Sequence, residues 1–239
     1  MIEETENRLP YFEKVALQRL KKRRINKYYW DDITGYCGYF IHHENSILEI
    51  GCGSGELLAR IKGKRKLGID FSEAMVLEAK NRFPDIEFRV MNAENLLLDE
   101  TFDVIIISNL IGFVNDVQLV FNELNKVCHR HTKIIVTYYN YLWEPLIKLA
   151  EFTGIKSKTP PQNWLSQLDI GNLLYLSGFE VYRTTKRMLL PVYLPPVSNI
   201  VNTYLAKMPL LRHLSLNTFS FAKPLSAKLY EKDKNEYSV

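Results

Sequence analysis

The chain has 239 residues and a mass of 28.0 kDa, with 46% hydrophobic, 24% charged and 12% aromatic residues, which excludes a disordered chain, a collagen and a coiled-coil rod. Thirty-one Lys and Arg against 27 Asp and Glu leave a net +4, too mild an excess to imply a nucleic-acid partner, and none is expected. The three cysteines, Cys37, Cys52 and Cys128, are odd in number and widely spaced; they form neither a disulfide framework nor a zinc pattern, so a cytoplasmic chain with no metal is expected.

In chain order, the acidic start Met1-Ile2-Glu3-Glu4-Thr5-Glu6 has no apolar core, so no signal peptide is expected there. Residues 1–44 read as a helical cap. Tyr11, Phe12, Val15, Leu17 and Leu20 lie on a helix that turns basic at Lys21-Lys22-Arg23-Arg24, and the aromatic run Tyr28-Tyr29-Trp30 follows. That run suits either core packing or a lid. Beyond residue 45, short apolar runs alternate with amphipathic helices. Strands are predicted at 46–50, 66–69, 86–91, 102–108, 133–138, 179–184 and 218–222, and helices near 56–61, 72–82, 116–128, 143–152 and 167–177. Val104-Ile105-Ile106-Ile107 and Ile134-Ile135-Val136 are continuous rather than alternating, as strands buried on both faces of a parallel sheet must be. The alternation predicts a doubly wound α/β fold in a single domain. Two connections, 154–164 and 186–217, are longer than ordinary ones and suit binding loops or lids. Residues 188–206 carry no charge, but Pro191, Pro195 and Pro196 and several polar residues exclude a membrane span.

The stretch Ser46-Ile47-Leu48-Glu49-Ile50-Gly51-Cys52-Gly53-Ser54-Gly55-Glu56 is a strand, a glycine loop and a helix start. Glycines at alternate positions let the backbone turn tightly and let a ligand touch main chain. A dinucleotide fingerprint needs a third glycine where Glu56 stands, and no Walker-type Lys-Ser/Thr ending is present. Glu49 and Glu56 flank the loop with negative charge, which suits a ligand with a cationic end. Nineteen residues after Gly51, the second strand ends at Asp70, where a carboxylate accepts hydrogen bonds from ribose hydroxyls. Asn92-Ala93-Glu94 follows the third strand and Ser108-Asn109 the fourth. All four points lie at carboxyl strand ends, where open α/β sheets bind ligands.

These residues resemble class I S-adenosylmethionine-dependent methyltransferases. Glu49-x-Gly51-x-Gly53-x-Gly55, Asp70-Phe71-Ser72 with Met75, Asn92-Ala93-Glu94 and Phe102-Asp103-Val104-Ile105 carry the resemblance over residues 45 to 139. It implies a Rossmann-like, mostly parallel seven-stranded sheet with an antiparallel last strand, S-adenosylmethionine as cofactor, and transferase activity of class EC 2.1.1.-. By position, Gly51, Gly53 and Gly55, with Cys52 among them, would lie against the methionine portion. Asp70 would hold the ribose, Asn92 and Ala93 would meet adenine, and Phe71, Met75, Glu94, Ser108 and Asn109 would complete the donor site. Where many members have Asp after the fourth strand this chain has Asn109, so an acid acting there as base is in doubt. Residues 45–185 would then be the cofactor-binding core, 186–217 an insertion, and 218–239 the last strand and tail.

Further resemblance lies in Tyr141-Leu142-Trp143-Glu144-Pro145, Asn163-Trp164-Leu165, Asp169-Ile170-x-Asn172-Leu173-Leu174 and Leu205-Ala206-x-Met208-Pro209. They are similar to bacterial methyltransferases encoded with glycosyltransferases, and imply a small-molecule, sugar or glycan acceptor methylated on oxygen. Tyr139, Asn140, Trp143 and Glu144 follow the fifth strand and are the expected acceptor side. No residue is clearly the general base. His42, His43, His129 and His131 precede strands and so face away from the ligand end. His213, Asn109 and Tyr139 are the remaining candidates, His213 only if the last strand runs antiparallel. Cys52 reads as a small residue that fits the loop rather than a nucleophile. In the 186–217 insertion, Val197, Ile200, Val201, Tyr204, Leu205 and Met208 recur at helical spacing, with Lys207 and Arg212 near the end. Two readings stand for it: an insertion packed on its own sheet, or a lid that closes over the acceptor or makes a weak, reversible contact with a membrane surface. A non-catalytic relative, binding the cofactor as a regulatory subunit, is the alternative to an enzyme.

Overall fold

A computed structural model of the chain describes residues 27–154 and 162–225. The predicted helix with its basic end at 21–24 lies outside those residues. The centre is one seven-stranded sheet in the order β3-β2-β1-β4-β5-β7-β6. Its strands are β1 (Ser46–Ile50), β2 (Arg65–Asp70), β3 (Glu87–Val90), β4 (Phe102–Ser108), β5 (Cys128–Tyr139), β6 (Phe179–Arg187) and β7 (Asn217–Pro224). β1 to β5 pair in parallel, and β7 runs antiparallel between β5 and β6.

The continuous apolar runs sit where both faces are covered: Val104 to Ile107 and Ile134 to Val136 are fully buried. On one face, α1 (Lys27–Tyr39) lays Tyr29, Ile33 and Cys37 onto the sheet beside α2 (Glu56–Arg60) and α3 (Glu73–Arg82). The four-residue spacing of those side chains puts them on one helical stripe. On the other face, α4 (Val117–Glu123) and α6 (Gln167–Leu176) bury Val117, Val120, Phe121, Ile170 and Leu174. Side chains start these helices. Ser72 accepts the Met75 amide, Asp116 accepts the Leu119 amide, and Ser166 and Asp169 form a reciprocal capping box.

Two boundaries differ from expectation. The helix predicted over 116–128 stops at Glu123 and closes in a tight turn, 124–126. β5 then begins at Cys128, five residues early, because Cys128 pairs with Phe102 across an irregular register and Thr132 donates to the Phe102 carbonyl at 2.7 Å. The long connection 186–217 is also not a plain loop. β6 extends to Arg187, and α7 (Val197–Thr203) and two tight turns, 205–207 and 211–214, fill the span to β7. α5 (Glu144–Phe152) lies after β5 and buries no side chain. Among the described residues no helix is long and apolar enough to cross a membrane.

Candidate active site

The strand order reverses between β1 and β4, which opens a crevice at their carboxyl ends. Ile50 pairs with Ile107, so Gly51 and Asn109 emerge side by side. The loop after β1 is tied to the end of β2: the Gly51 and Cys52 amides both donate to the Ile69 carbonyl, at 2.8 and 2.9 Å. Gly51, Gly53 and Gly55 all have positive φ, a conformation L side chains adopt at a cost. A Cβ on Gly51 would stand 2.9 Å from Leu110, and one on Gly55 would stand 2.6 Å from Phe88. Glycine is thus required by the packing beneath the loop as well as by its backbone.

Asp70 closes this cradle. Its carboxylate accepts the Gly53 amide at 2.8 Å and the Ser72 amide at 3.0 Å, joining loop and strand end into one acidic rim. Glu49, only 2% exposed, lies beneath it. Burial raises its carboxyl well above the usual range, the Leu58 backbone hydrogen bond opposes that rise, and the Asp70 charge adds to it. One Glu49 oxygen has no hydrogen-bond partner. The carboxyl expected as a charged flank thus lies buried beneath the rim, where burial opposes its charge. Cys52 is buried, burial pushes its thiol well up, and it packs toward Gly68, as expected of a fitting residue rather than a nucleophile.

Other expected donor-side residues have structural partners. Asn92 accepts the Glu94 amide at 2.9 Å in a turn that leaves Asn92 exposed and Ala93 half-buried. Glu94 accepts the Asn115 and Asp116 amides at 2.6 and 3.0 Å, so it braces the start of α4. Ser108 is buried against Thr137, hydroxyl to hydroxyl at 3.0 Å. Met75 is buried under α3 and Phe71 is half-buried at the rim.

Asn109 has φ 53, a left-handed position that Asn tolerates better than most residues. Its amide nitrogen donates to the Tyr29 hydroxyl at 2.8 Å, and that hydroxyl donates to Asn217 Oδ1 at 3.1 Å. Tyr29 is therefore held between two side-chain amides. Asn109 Oδ1 and Asn217 Nδ2 are buried without partners. Burial, then the neighbouring Tyr139 phenol, hold Tyr29 well above the usual tyrosine range. Of the aromatic run that suited either core packing or a lid, Tyr29 is buried on α1 with its hydroxyl bonded to Asn109.

Beside Asn109 opens a small cleft, walled in part by Phe113, Tyr139, Gln162, Asn163 and Trp164. Phe113, in the turn after β4, and Gln162 were not anticipated; the length of the 154–164 connection was the only signal for Gln162. Of the four residues expected on the acceptor side, Tyr139 alone lines this cleft. Asn140, 3% exposed, donates to the His213 and Ser215 carbonyls at 2.7 and 2.9 Å. Trp143 donates to the Leu214 carbonyl at 2.7 Å, and Glu144 pairs with Lys148. Asn140 and Trp143 thus hold the insertion, Glu144 pairs within α5, and none of the three lines the cleft. β7 is antiparallel, so His213 does stand at the ligand edge, with an exposed side chain. His129 lies at the opposite edge, 3.3 Å from Asp103.

Residues 48–136 match the family described as "Methyltransferase domain". The chain is 35% identical over 86 residues to malonyl-[acyl-carrier protein] O-methyltransferase of Bacillus cytotoxicus, covering 34% of this chain and 30% of that one. It is 30% identical over 98 residues to phosphatidylethanolamine N-methyltransferase of Cereibacter sphaeroides, covering 38% and 48%. The chain thus spans less than half the length of these relatives. A crystal structure of an S-adenosylmethionine-dependent methyltransferase from Thermotoga maritima superposes with a TM-score of 0.71 at 20% identity, covering 90% of this chain and 98% of that one. The glycine cradle, the acidic rim of Asp70 and the partnerless buried oxygens of Glu49 and Asn109 fit a nucleoside with a cationic tail. Residues 48–136 thus match a methyltransferase domain, the sheet has the fold of the Thermotoga maritima methyltransferase, and the cofactor is S-adenosylmethionine.

Proposed function

We propose that the chain methylates a small-molecule, sugar or glycan-type acceptor on oxygen, in the cytoplasm. The observation that carries this reading is the cleft of aromatic and amide side chains opening beside Asn109, next to the glycine loop. Flat aromatic walls with a few amides suit a ring carrying hydroxyls better than a long polyanion. The two relatives act on different acceptors by their names, so the acceptor is argued from the cleft alone. Three free thiols suit a reducing compartment.

When bound, S-adenosylmethionine supplies an activated methyl on a sulfonium. The chain's part is alignment and exclusion of water, which by itself supplies much of such a rate. Asp70 would hold the ribose hydroxyls, and the Gly51–Gly55 loop would lie along the methionine portion, with Asn92 and Ala93 at the adenine. Tyr139 would sit where an attacking hydroxyl loses its proton, and the exposed His213 at the same edge is the nearest ordinary base in chain order.

Calorimetry with S-adenosylmethionine and its demethylated product tests the donor half. Both should bind and NADH should not. Asp70→Ala should weaken both by about 100-fold, since charge-assisted hydrogen bonds are lost. Transfer of labelled methyl into glycan, lipid, nucleic-acid and small-molecule fractions tests the acceptor half. Trp164→Ala and Tyr139→Phe should cut transfer at least tenfold while donor affinity holds. Tight NADH binding sinks the donor reading, and label confined to nucleic acid sinks the acceptor reading.

A further inference from the structure

Tyr29 stands where α1, the insertion and the cleft meet. It is buried, and its neighbours on α1 pin the helix from three sides. Tyr28 is bonded to Asn202 and to the Ser198 carbonyl, Asp31 pairs with Lys27 and Arg60, and Asp32 takes the Arg187 guanidinium. A hydroxyl carried on a helix fixed in this way has a defined position. Two residues that wall the cleft lie against Tyr29. Its hydroxyl accepts from Asn109 Nδ2 at 2.8 Å, and its ring centroid is 6.2 Å from that of Tyr139.

The Asn109 backbone is already fixed, because its N–H donates to the Thr137 carbonyl at 2.9 Å. Only the sense of its side-chain amide is left to set, and Tyr29 sets it. The phenol oxygen accepts from Asn109 Nδ2 while the phenol hydrogen goes to Asn217 Oδ1 at 3.1 Å. The Asn109 nitrogen therefore faces α1, and its oxygen is turned away from Tyr29. That oxygen is buried with no partner among the described residues, although Asn109 itself borders the cleft. Buried amide oxygens are paired in most native structures, so one left over at a cleft wall calls for a donor from outside the chain.

We propose that Tyr29 is a positioning residue for the acceptor: acting through Asn109, it presents an amide oxygen that takes a hydrogen bond from a hydroxyl of the bound acceptor. This deepens the reading of the cleft as the acceptor site and rests on it. The wall at Asn109 then selects a group that still carries its hydrogen. An ether at the same place offers none and leaves the amide oxygen unpaired, which is a strong basis for rejection. A tyrosine that merely packs in the core makes a different forecast. Loss of its hydroxyl would lower stability and leave transfer by the folded chain unchanged.

The test is steady-state transfer of labelled methyl by the full chain into the fraction that the wild type labels, with donor calorimetry and melting on every variant. Tyr29→Phe removes one oxygen and keeps the ring. It should lower kcat about tenfold or more while donor affinity stays within about twofold. Asn109→Ala should lower kcat at least as far, and the double variant no further, because both changes act through one hydrogen bond. Asn217→Ala frees the phenol hydrogen to turn toward Asn109, which reverses the amide, so it too should lower kcat. It carries the test should Tyr29→Phe fail to fold. The proposal is overturned if Tyr29→Phe folds and keeps the wild-type kcat, or if its loss adds in full to that of Asn109→Ala. It is equally overturned if donor affinity falls in step with transfer, which would put the pair on the donor side. A wild type that binds donor yet labels no fraction overturns the acceptor reading and this proposal with it; a labelled fraction with kcat unmoved by Tyr29→Phe overturns the proposal alone.

Discussion

Glu49 carries the sharpest pH dependence at the scale of single residues. Its carboxyl is buried, hydrogen-bonded on one side only, and close to the Asp70 charge, and burial raises its pKa in the folded chain. A group raised on folding stabilises the fold fully below its unfolded value, near 4.5. That contribution is lost as pH climbs through the folded value. Glu49→Gln removes the ionisation and keeps the shape. The variant should therefore gain on the wild type as pH rises from about 4 toward 8. Thermal unfolding across that range is the check. A wild type that gains stability over Gln toward pH 8 would mean that Glu49 is ionised and paired. Glu49, Asn109 and Tyr29 also show what one chain position can hide. Each identity was readable, but the partners lie 80 and more residues away for the Tyr29–Asn109–Asn217 set.

At the scale of elements, the β1–α2 turn depends on a close approach that no local pattern reveals. Gly55 has φ +75, and a Cβ there would stand 2.6 and 2.9 Å from the Phe88 ring and 3.3 Å from Ala79. Phe88 belongs to β3 and Ala79 to α3, so the loop is wedged between them. Gly55→Ala adds left-handed strain to overpacking and should cost about 2–4 kcal/mol. Denaturant unfolding measures it. The donor affinity of the folded fraction should also fall, because the ring can yield only by moving the strand that ends at the cofactor rim. The boundaries that differed from expectation have the same origin. β5 starts early because Thr132 and Cys128 find partners on β4, a long-range pairing that outweighs the helix pattern preceding it.

Across the whole molecule, α1 joins the far end of the sheet to the insertion. Arg187 Nε lies 3.1 and 3.2 Å from the two Asp32 oxygens, and its guanidinium rests 4.4 Å over the Tyr36 ring. Tyr28 adds its bonds to the insertion one turn earlier. The Arg187 side chain is about a third exposed, so solvent screens the pair and Asp32→Asn should lower stability by only about 1 kcal/mol. Its larger effect should be local. Limited proteolysis within 188–216 should speed up while donor affinity stays unchanged, since the glycine loop stands on β1 and β2. Equal loss of both would mean that the insertion and the donor site unfold as one unit.

The α/β class, the glycine loop with Asp70 at the next strand end, and the buried strands β4 and β5 were all determined by the amino-acid sequence alone. Each is written in local periodicity or in fixed spacing along the chain. Only the tertiary structure decided what the polar residues beyond β5 do. Asn140 and Trp143 carry ordinary site chemistry at an ordinary site position, yet they hold the 213–215 carbonyls, because buried backbone oxygens must find donors wherever the chain brings them. The direction faced by α7 was equally unreadable: apolar spacing marks a stripe but not which side the sheet lies on. That was decided by Ser198 and Asn202, whose hydrogen bonds to the 189–194 backbone turn those two inward and leave Val197 and Ile200 exposed.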